Sequence, residues 1–361
     1  MSPVRPSGRT AADVAEALFD HVGAVTAARS FELDLGGARV AARIVGERLA
    51  FDVARAFGSS AESPPPANAG QRPALHIDVW DEAATGVAWR SVGVESWQAR
   101  EGPFGERIRM SPDRTIVSYE GNAWRALLIR DRGRLVAAVP SAERHPHAEL
   151  ARPLRLPLMT WLSDRRVEVV HGALISKDGQ GVLCVGPENA GKSTVAMACV
   201  DGGYAFVGDD YIALCSSTSP PTGFGIYRTS ALHAAGLSRY PRLRAAATPP
   251  PHGLAGKAHI WLGEVADIEL AASTSIVALV VTRSGTRCSA GWRAVSGREA
   301  LLALAPTSLL SRPLTAGKRG FELLGALVEQ VPAYRLELGG DSQGSIISAV
   351  DEVLAAAGPG Q

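Results

Sequence analysis

The stretch "VLCVGPENAGKSTVAMACV", positions 182 to 200, constrains the fold more than any other part of the chain. A Val-rich apolar run leads into Gly186, four residues follow, and Gly191-Lys192-Ser193-Thr194 opens a helix-forming run that Gly202 and Gly203 stop. Gly-rich backbone leaving a strand presents its N–H groups as a concave nest, and the following helix adds the positive end of its dipole. The expected structure is a strand, a phosphate-binding loop and a helix, with Gly186, Pro187, Glu188, Asn189, Ala190, Gly191, Lys192, Ser193 and Thr194 around the phosphates. In such loops the lysine carries charge to the β and γ phosphates of a nucleotide such as ATP, and the Ser193 hydroxyl is a ligand for Mg²⁺.

The neighbouring segments fit that arrangement. "YAFVGDDYIAL" is an apolar strand ending in Asp209 and Asp210. A helix of about ten residues carries the chain about 15 Å from the phosphates, so the next strand returns it with both aspartates beside them. One carboxylate there suits Mg²⁺ and a second suits acid–base work on an attacking hydroxyl. Upstream, "VEVVHGALISKDGQGVLCV" is expected to be a hairpin turning at Asp178-Gly179. Pairing Lys177 with Gln180 then sets His171 opposite Gly186, within reach of phosphates or of Asp209.

The rest of the chain is expected to support this core. Residues 10 to 28 have the period of an amphipathic helix, "FELDLGGARVAARIV" that of a hairpin turning at Gly36-Gly37, and Leu49 to Phe57 that of a second helix. Residues 59 to 73 read as a solvated loop, and 75 to 140 as an antiparallel sheet with a turn at Asp131-Arg132-Gly133. The segment 144 to 160, rich in Pro and basic residues, is expected to be a surface linker carrying His145 and His147 between a unit over 1–150 and one over 151–361. Near the end, "FELLGALVEQVPAYRLEL" reads as helix then strand. "SQGSIISAVDEVLAAA" reads as a terminal helix burying Ile346, Val350 and Val353. Arg312, Lys318 and Arg319 read as solvated charge.

With 361 residues and 46% hydrophobic content the chain can bury a large core, and 37 basic against 36 acidic residues give it no overall pull toward nucleic acid or membrane. Cys184, Cys199, Cys215 and Cys288 lack metal-site spacing and are read as reduced thiols. No apolar run has the length of a membrane span, so the cytoplasm is the expected location.

The run "HGALISKDGQGVLCVGPENAGKSTVAMACVDGGYAFVGDDYIAL" resembles the catalytic core of HPr kinase/phosphorylase and its shorter relatives, over about residues 168 to 214. The resemblance implies an α/β phosphate-loop kinase core with a mixed sheet, preceded by a smaller α+β N-terminal domain. It also implies nucleotide phosphates on Gly186 to Lys192, Mg²⁺ on Ser193, Asp209 as the base toward a serine hydroxyl, and Asp210 holding the metal or the loop. His171 matches the family's histidine near the phosphates. "FGIYRTSAL" and "GKAHIWL" make Arg228 and Lys257 candidate phosphate or substrate contacts beside the reading of solvated charge. Thr194 replaces a usually acidic residue and Pro187-Glu188-Asn189 is atypical, which argues against HPr as the acceptor. The layout is similar to kinases found with lasso peptide biosynthesis, implying a peptide or protein acceptor, the C-terminal serine of the precursor. A small-molecule hydroxyl kinase and a nucleotide-binding scaffold without transfer are the alternatives, and the oligomeric state stays open.

Overall fold

The helix expected near the N-terminus runs over Ala11–Val25 (α1), with Ala12, Ala15, Phe19 and Val22 buried on one face. In this computed structural model the described residues are 11–58, 70, 72–90, 93–103, 105–216, 218–250, 256–285, 290–309, 318–339 and 343–358, without the side chains of 25, 307, 309, 318 and 319. Most of the expected loop 59 to 73, Cys288, Arg312 and the side chains of Lys318 and Arg319 lie outside them.

The hairpin follows as Ala28–Leu35 (β1) and Ala38–Val45 (β2), turning at Gly36 and Gly37, whose φ angles are 62° and 79°. A Cβ on Gly36 would stand 2.9 Å from Leu162 Cδ2, so the turn needs glycine for space as well as for its backbone angle. The next elements are Glu47–Phe57 (α2), Leu75–Asp81 (β3) and Glu82–Thr85 (α3). Five more strands follow, Ala99–Glu101 (β4), Arg107–Met110 (β5), Ile116–Glu120 (β6), Arg125–Ile129 (β7) and Arg134–Val139 (β8). They form an eight-stranded sheet in the order β1-β2-β3-β8-β7-β6-β5-β4. This corrects the expectation of an antiparallel arrangement, because β3 pairs parallel with both β2 and β8. The connection from β2 to β3 passes through α2, which gives the chain length to cross over and re-enter in the same direction.

The expected surface linker is also corrected. His147–Leu150 (α4) and Arg155–Asp164 (α5) are helices, and Leu154, Leu156, Leu158, Trp161 and Leu162 are buried in the core beneath the first sheet. That core also holds Val169, Ala213, Ile226 and Tyr227, so apolar packing is continuous across the 150/151 boundary.

His145 is 7% exposed, sits edge-on to Trp124 with ring centroids 4.9 Å apart, and has no partner for Nε2. Burial, opposed by Asp81, pushes its pKa down to about 4. A depressed histidine pKa makes stability full above the unfolded value of 6.5 and progressively weaker toward 4, because the unfolded chain takes up the proton first. The expected loss over that window is about 3 kcal/mol. Thermal melts at pH 7 and pH 5 should show a smaller drop in His145→Phe than in the unaltered protein; equal drops would count against it.

The second sheet is built from Glu168–Val170 (β9), Ala173–Lys177 (β10) and Gln180–Val185 (β11), then Lys192–Asp201 (α6) and Ala205–Asp209 (β12). Ile212–Cys215 (β13), Thr222–Gly225 (β14), Thr229–His233 (β15), Ala234–Leu237 (α7), Pro241–Ala245 (α8), Ala247–Thr248 (β16) and Lys257–Trp261 (β17) come next. The chain closes with Ser273–Ser284 (β18), Gly291–Val295 (β19), Gly297–Leu309 (α9), Lys318–Gln330 (α10), Ala333–Leu338 (β20) and Gln343–Ala357 (α11).

The main path is β12-β10-β11-β18-β14-β13-β9, with β20 pairing β18 and β19. β18 runs parallel to β11 and β20, and the other pairs are antiparallel. Alternation sorts the side chains to two buried faces: Val182 and Cys184 meet α6 and α11, while Leu183 and Val185 meet α9 and α10. Strands covered on both sides need continuous apolar runs, which explains why "GVLCV" shows no polar alternation. Ile346, Val350 and Val353 are buried as the period of the last helix predicts. The result is a mixed α/β molecule with two large mixed sheets, and among the described residues no helix is long and apolar enough to cross a membrane.

Candidate functional site

β11 ends at Val185, and the chain leaves the sheet at Gly186 with φ 145°. Asn189 (φ 60°) and Gly191 (φ 98°) bend the loop back into α6. The left-handed backbone at Gly191 favours glycine, and a Cβ there would lie 2.1 Å from Leu338 Cδ1 and displace that side chain. No side chain caps α6, which leaves the N–H groups of its first turn available to an anion. Lys192 folds back over the loop, Nζ donating to Gly186 O at 3.0 Å and Pro187 O at 2.9 Å. Burial lowers its pKa, against the pull of Asp209 and Asp210.

The two aspartates arrive by sheet register. Lys177 pairs with Gln180 and Ala173 with Cys184, while Ala173 also pairs with Asp209 on the other edge of β10. Asp209 is 2% exposed, accepting from Ser230 Oγ at 2.6 Å, from the Asp210 N–H at 2.9 Å and from Ser193. Burial and the neighbouring Asp210 raise its pKa. Asp210 has φ 67°, a left-handed conformation that Asp tolerates better than most residues, and the Tyr211 N–H closes the turn on Asp209 O at 2.9 Å. The reversal turns the Asp210 side chain away from the sheet.

There Asp210 pairs with Arg152, and His171 Nε2 lies 3.5 Å from its Oδ1. Burial opposes ionisation of Asp210, but Arg152 and then His171 hold its carboxyl below the usual carboxylate range. His171 does not face Gly186 in a ladder. The backbone departs at Gly172, where a Cβ would meet Cys184 O at 2.8 Å, and β9 pairs with β13 instead. The imidazole reaches the site by stacking on Tyr211, centroids 6.2 Å apart, with its backbone N–H donating to Ser308 Oγ at 3.1 Å.

A cavity of about 1100 Å³ gathers these groups. Glu188, Asn189, Gly191, Lys192, Ser193 and Thr194 line one part of it, with Asp210, His171 and Lys257. Asp209 lies behind Ser193 rather than on the wall. Arg228 is not brought to the cavity: its Nη1 donates to Val207 O and to Ala271 O at 2.7 Å, and burial pushes its pKa down to about 10. Arg152 and Arg155, read from sequence as linker, line the cavity, as does His259. Period-two alternation along β17 places His259 on the same face as Lys257, a signal present in "GKAHIWL". Nothing local in the sequence points to Ser230 as a partner of Asp209.

No family model matches this chain. No curated protein matches it either. Among solved structures the chain is similar to the Hpr(Ser) kinase/phosphatase from Coxiella burnetii, with 13% identity, coverage of 53% of this chain and 99% of that one, and a TM-score of 0.29.

Proposed function

We propose that this protein is an ATP-dependent phosphotransferase that moves the γ-phosphoryl group to a hydroxyl, the favoured acceptor being a serine of a peptide or protein. The observation that carries the reading is the convergence on one cavity of Lys192, Ser193 and the uncapped α6 terminus with Asp210 and His171. The Ser193 hydroxyl, held by the Asp209 carboxylate, is a hard oxygen, which suits Mg²⁺ held by few protein oxygens plus nucleotide phosphates. Among the described residues no cluster of three or more His, Cys, Asp or Glu could hold a metal alone, consistent with a site completed by phosphate oxygens. Bound there, Mg²⁺ would neutralise charge on the transferring group.

The chain's own groups divide the remaining work. Backbone N–H groups of the loop and Lys192 Nζ bind the phosphates. Asp209, buried against Ser193 and Ser230, holds the Ser193 hydroxyl in place. Asp210, facing the cavity, takes the acceptor's proton as the acceptor oxygen bonds to the γ-phosphorus and the bond to the departing ADP breaks. Its low pKa is tolerable because phosphoryl transfer has a loose transition state that asks more for positioning than for a strong base. From the sequence the base role falls to Asp209; in the proposed transfer it falls to Asp210, because Asp210 lines the cavity and Asp209 is 2% exposed.

Because the sequence layout resembles that of lasso-associated kinases, the C-terminal serine of a precursor peptide is the first acceptor to try. The protein, Mg²⁺ and γ-labelled ATP with serine-ended peptides and their Ser→Ala counterparts should give a phosphate-sized mass gain that requires the serine. Bound ATP with no gain on any peptide or small hydroxyl compound would instead support a nucleotide-binding protein without transfer.

A further inference from the structure

β15, β17 and β16 form a three-stranded sheet at the cavity wall, and alternation divides its side chains. Leu232, Ala258 and Ile260 face the core shared with α6, while Ala231, His233, Lys257 and His259 line the cavity. Cross-strand pairing sets His233 against Lys257 and Ala231 against His259, so the cationic end and the imidazole lie along one face.

His259 is 8% exposed, and its Nδ1 is buried without a hydrogen-bond partner. Burial and Arg152 push its pKa down to about 4, leaving a neutral ring with hydrogen-bonding capacity to offer a ligand. Asp210 and Lys257 line the same cavity as Lys192 of the phosphate loop and the His259 imidazole. Lys257 has no ion-pair partner among the described residues. Arg152 is already committed to Asp210.

With the phosphate loop read as the nucleotide end, on which this step rests, the wall formed by β15 and β17 is left for the acceptor. We propose that this wall is an acceptor subsite selecting a hydroxyl compound or peptide with an anionic group beside the hydroxyl, the anion meeting Lys257 and accepting a hydrogen bond from His259. A carboxylate and a phosphate share the chemistry the wall offers. Anchoring the anion there would bring the hydroxyl toward Asp210, where part of the barrier is removed by positioning alone.

Two measurements test this. In protein saturated with Mg²⁺ and a non-hydrolysable ATP analogue, the His259 imidazole resonances, assigned with His259→Asn, are followed during addition of acetate and of inorganic phosphate. Saturable movement with either anion is expected, and the stronger binder identifies the preferred group; resonances unmoved by both would overturn the proposal. Phosphoryl transfer is then compared for serine peptides carrying Glu or Gln next to the serine. The unaltered protein should favour Glu by about tenfold in kcat/KM, worth about 1.4 kcal/mol, and Lys257→Gln should bring the ratio near one without raising the KM for ATP. Equal use of both peptides by the unaltered protein would also overturn it. Anion-dependent resonances with no transfer to any peptide would overturn the kinase reading and leave the anion site standing.

Discussion

Lys192→Ala is expected to lower phosphoryl transfer by about a thousandfold while leaving the fold intact. The Lys192 ammonium donates to Gly186 O and Pro187 O, and in the proposed transfer it would meet the charge that accumulates on the phosphoryl group. Loss of one such preorganised donor typically costs about a hundred- to a thousandfold in rate. Backbone N–H groups of the α6 first turn remain, so binding of the nucleotide should weaken less than kcat. Alanine is a good helix former at this first-turn position, Pro187 is exposed, and truncating Lys192, which lines the cavity, lets water reach the carbonyls it leaves, so the melting temperature should change little. A single-turnover assay and a melt on the same preparation separate the effects. Undiminished transfer would remove Lys192 from the site.

The second large effect is a contrast between two adjacent carboxylates. Asp210→Asn should lower kcat by about a hundred- to ten-thousandfold, the usual contribution of a positioned acid or base, with the Mg²⁺ requirement unchanged. Asp209→Asn replaces a carboxylate that accepts from Ser193, Ser230 and the Asp210 N–H. Its loss should appear as a higher Mg²⁺ requirement, relieved in part by added metal. If Asp209→Asn alone destroys kcat at every Mg²⁺ concentration, the roles are reversed and the first reading of the sequence stands. The pH behaviour follows the same geometry. Because Arg152 and His171 hold Asp210 below its ordinary value of 3.8, its stabilising contribution is complete above that value and is lost only as pH falls through the lower folded value. Acid loss of activity near pH 5 would therefore arise from another group.

Much of the local structure was legible because short-range rules decide it. Asp178 and Gly179 take left-handed angles of 51° and 77°, and the two-residue turn they make fixes the Lys177–Gln180 register seen in the sheet. The order strand, loop, helix at 182–200 follows from apolar run, glycines and helical period, all within twenty residues. The same rules misread residues 144–160, where Pro and Arg suggested solvent. Six apolar side chains from Leu154 to Leu162 are buried beneath a sheet whose strands all precede them in the chain, and periodicity cannot show what a segment packs against.

For this protein, then, the residues by themselves determined the strand, Gly-rich loop and helix at 182–200, the hairpin before them, the strand that ends in two aspartates and the period of the terminal helices. Tertiary structure alone decided that Asp209 is buried on Ser230, that Asp210 faces the cavity with Arg152 and His171, and that Arg228 serves backbone carbonyls. The division has one physical cause. Turn angles and side-chain period act between neighbours along the chain, whereas contacts such as Arg152–Asp210, 58 positions apart, exist only once the sheets have closed the intervening loops.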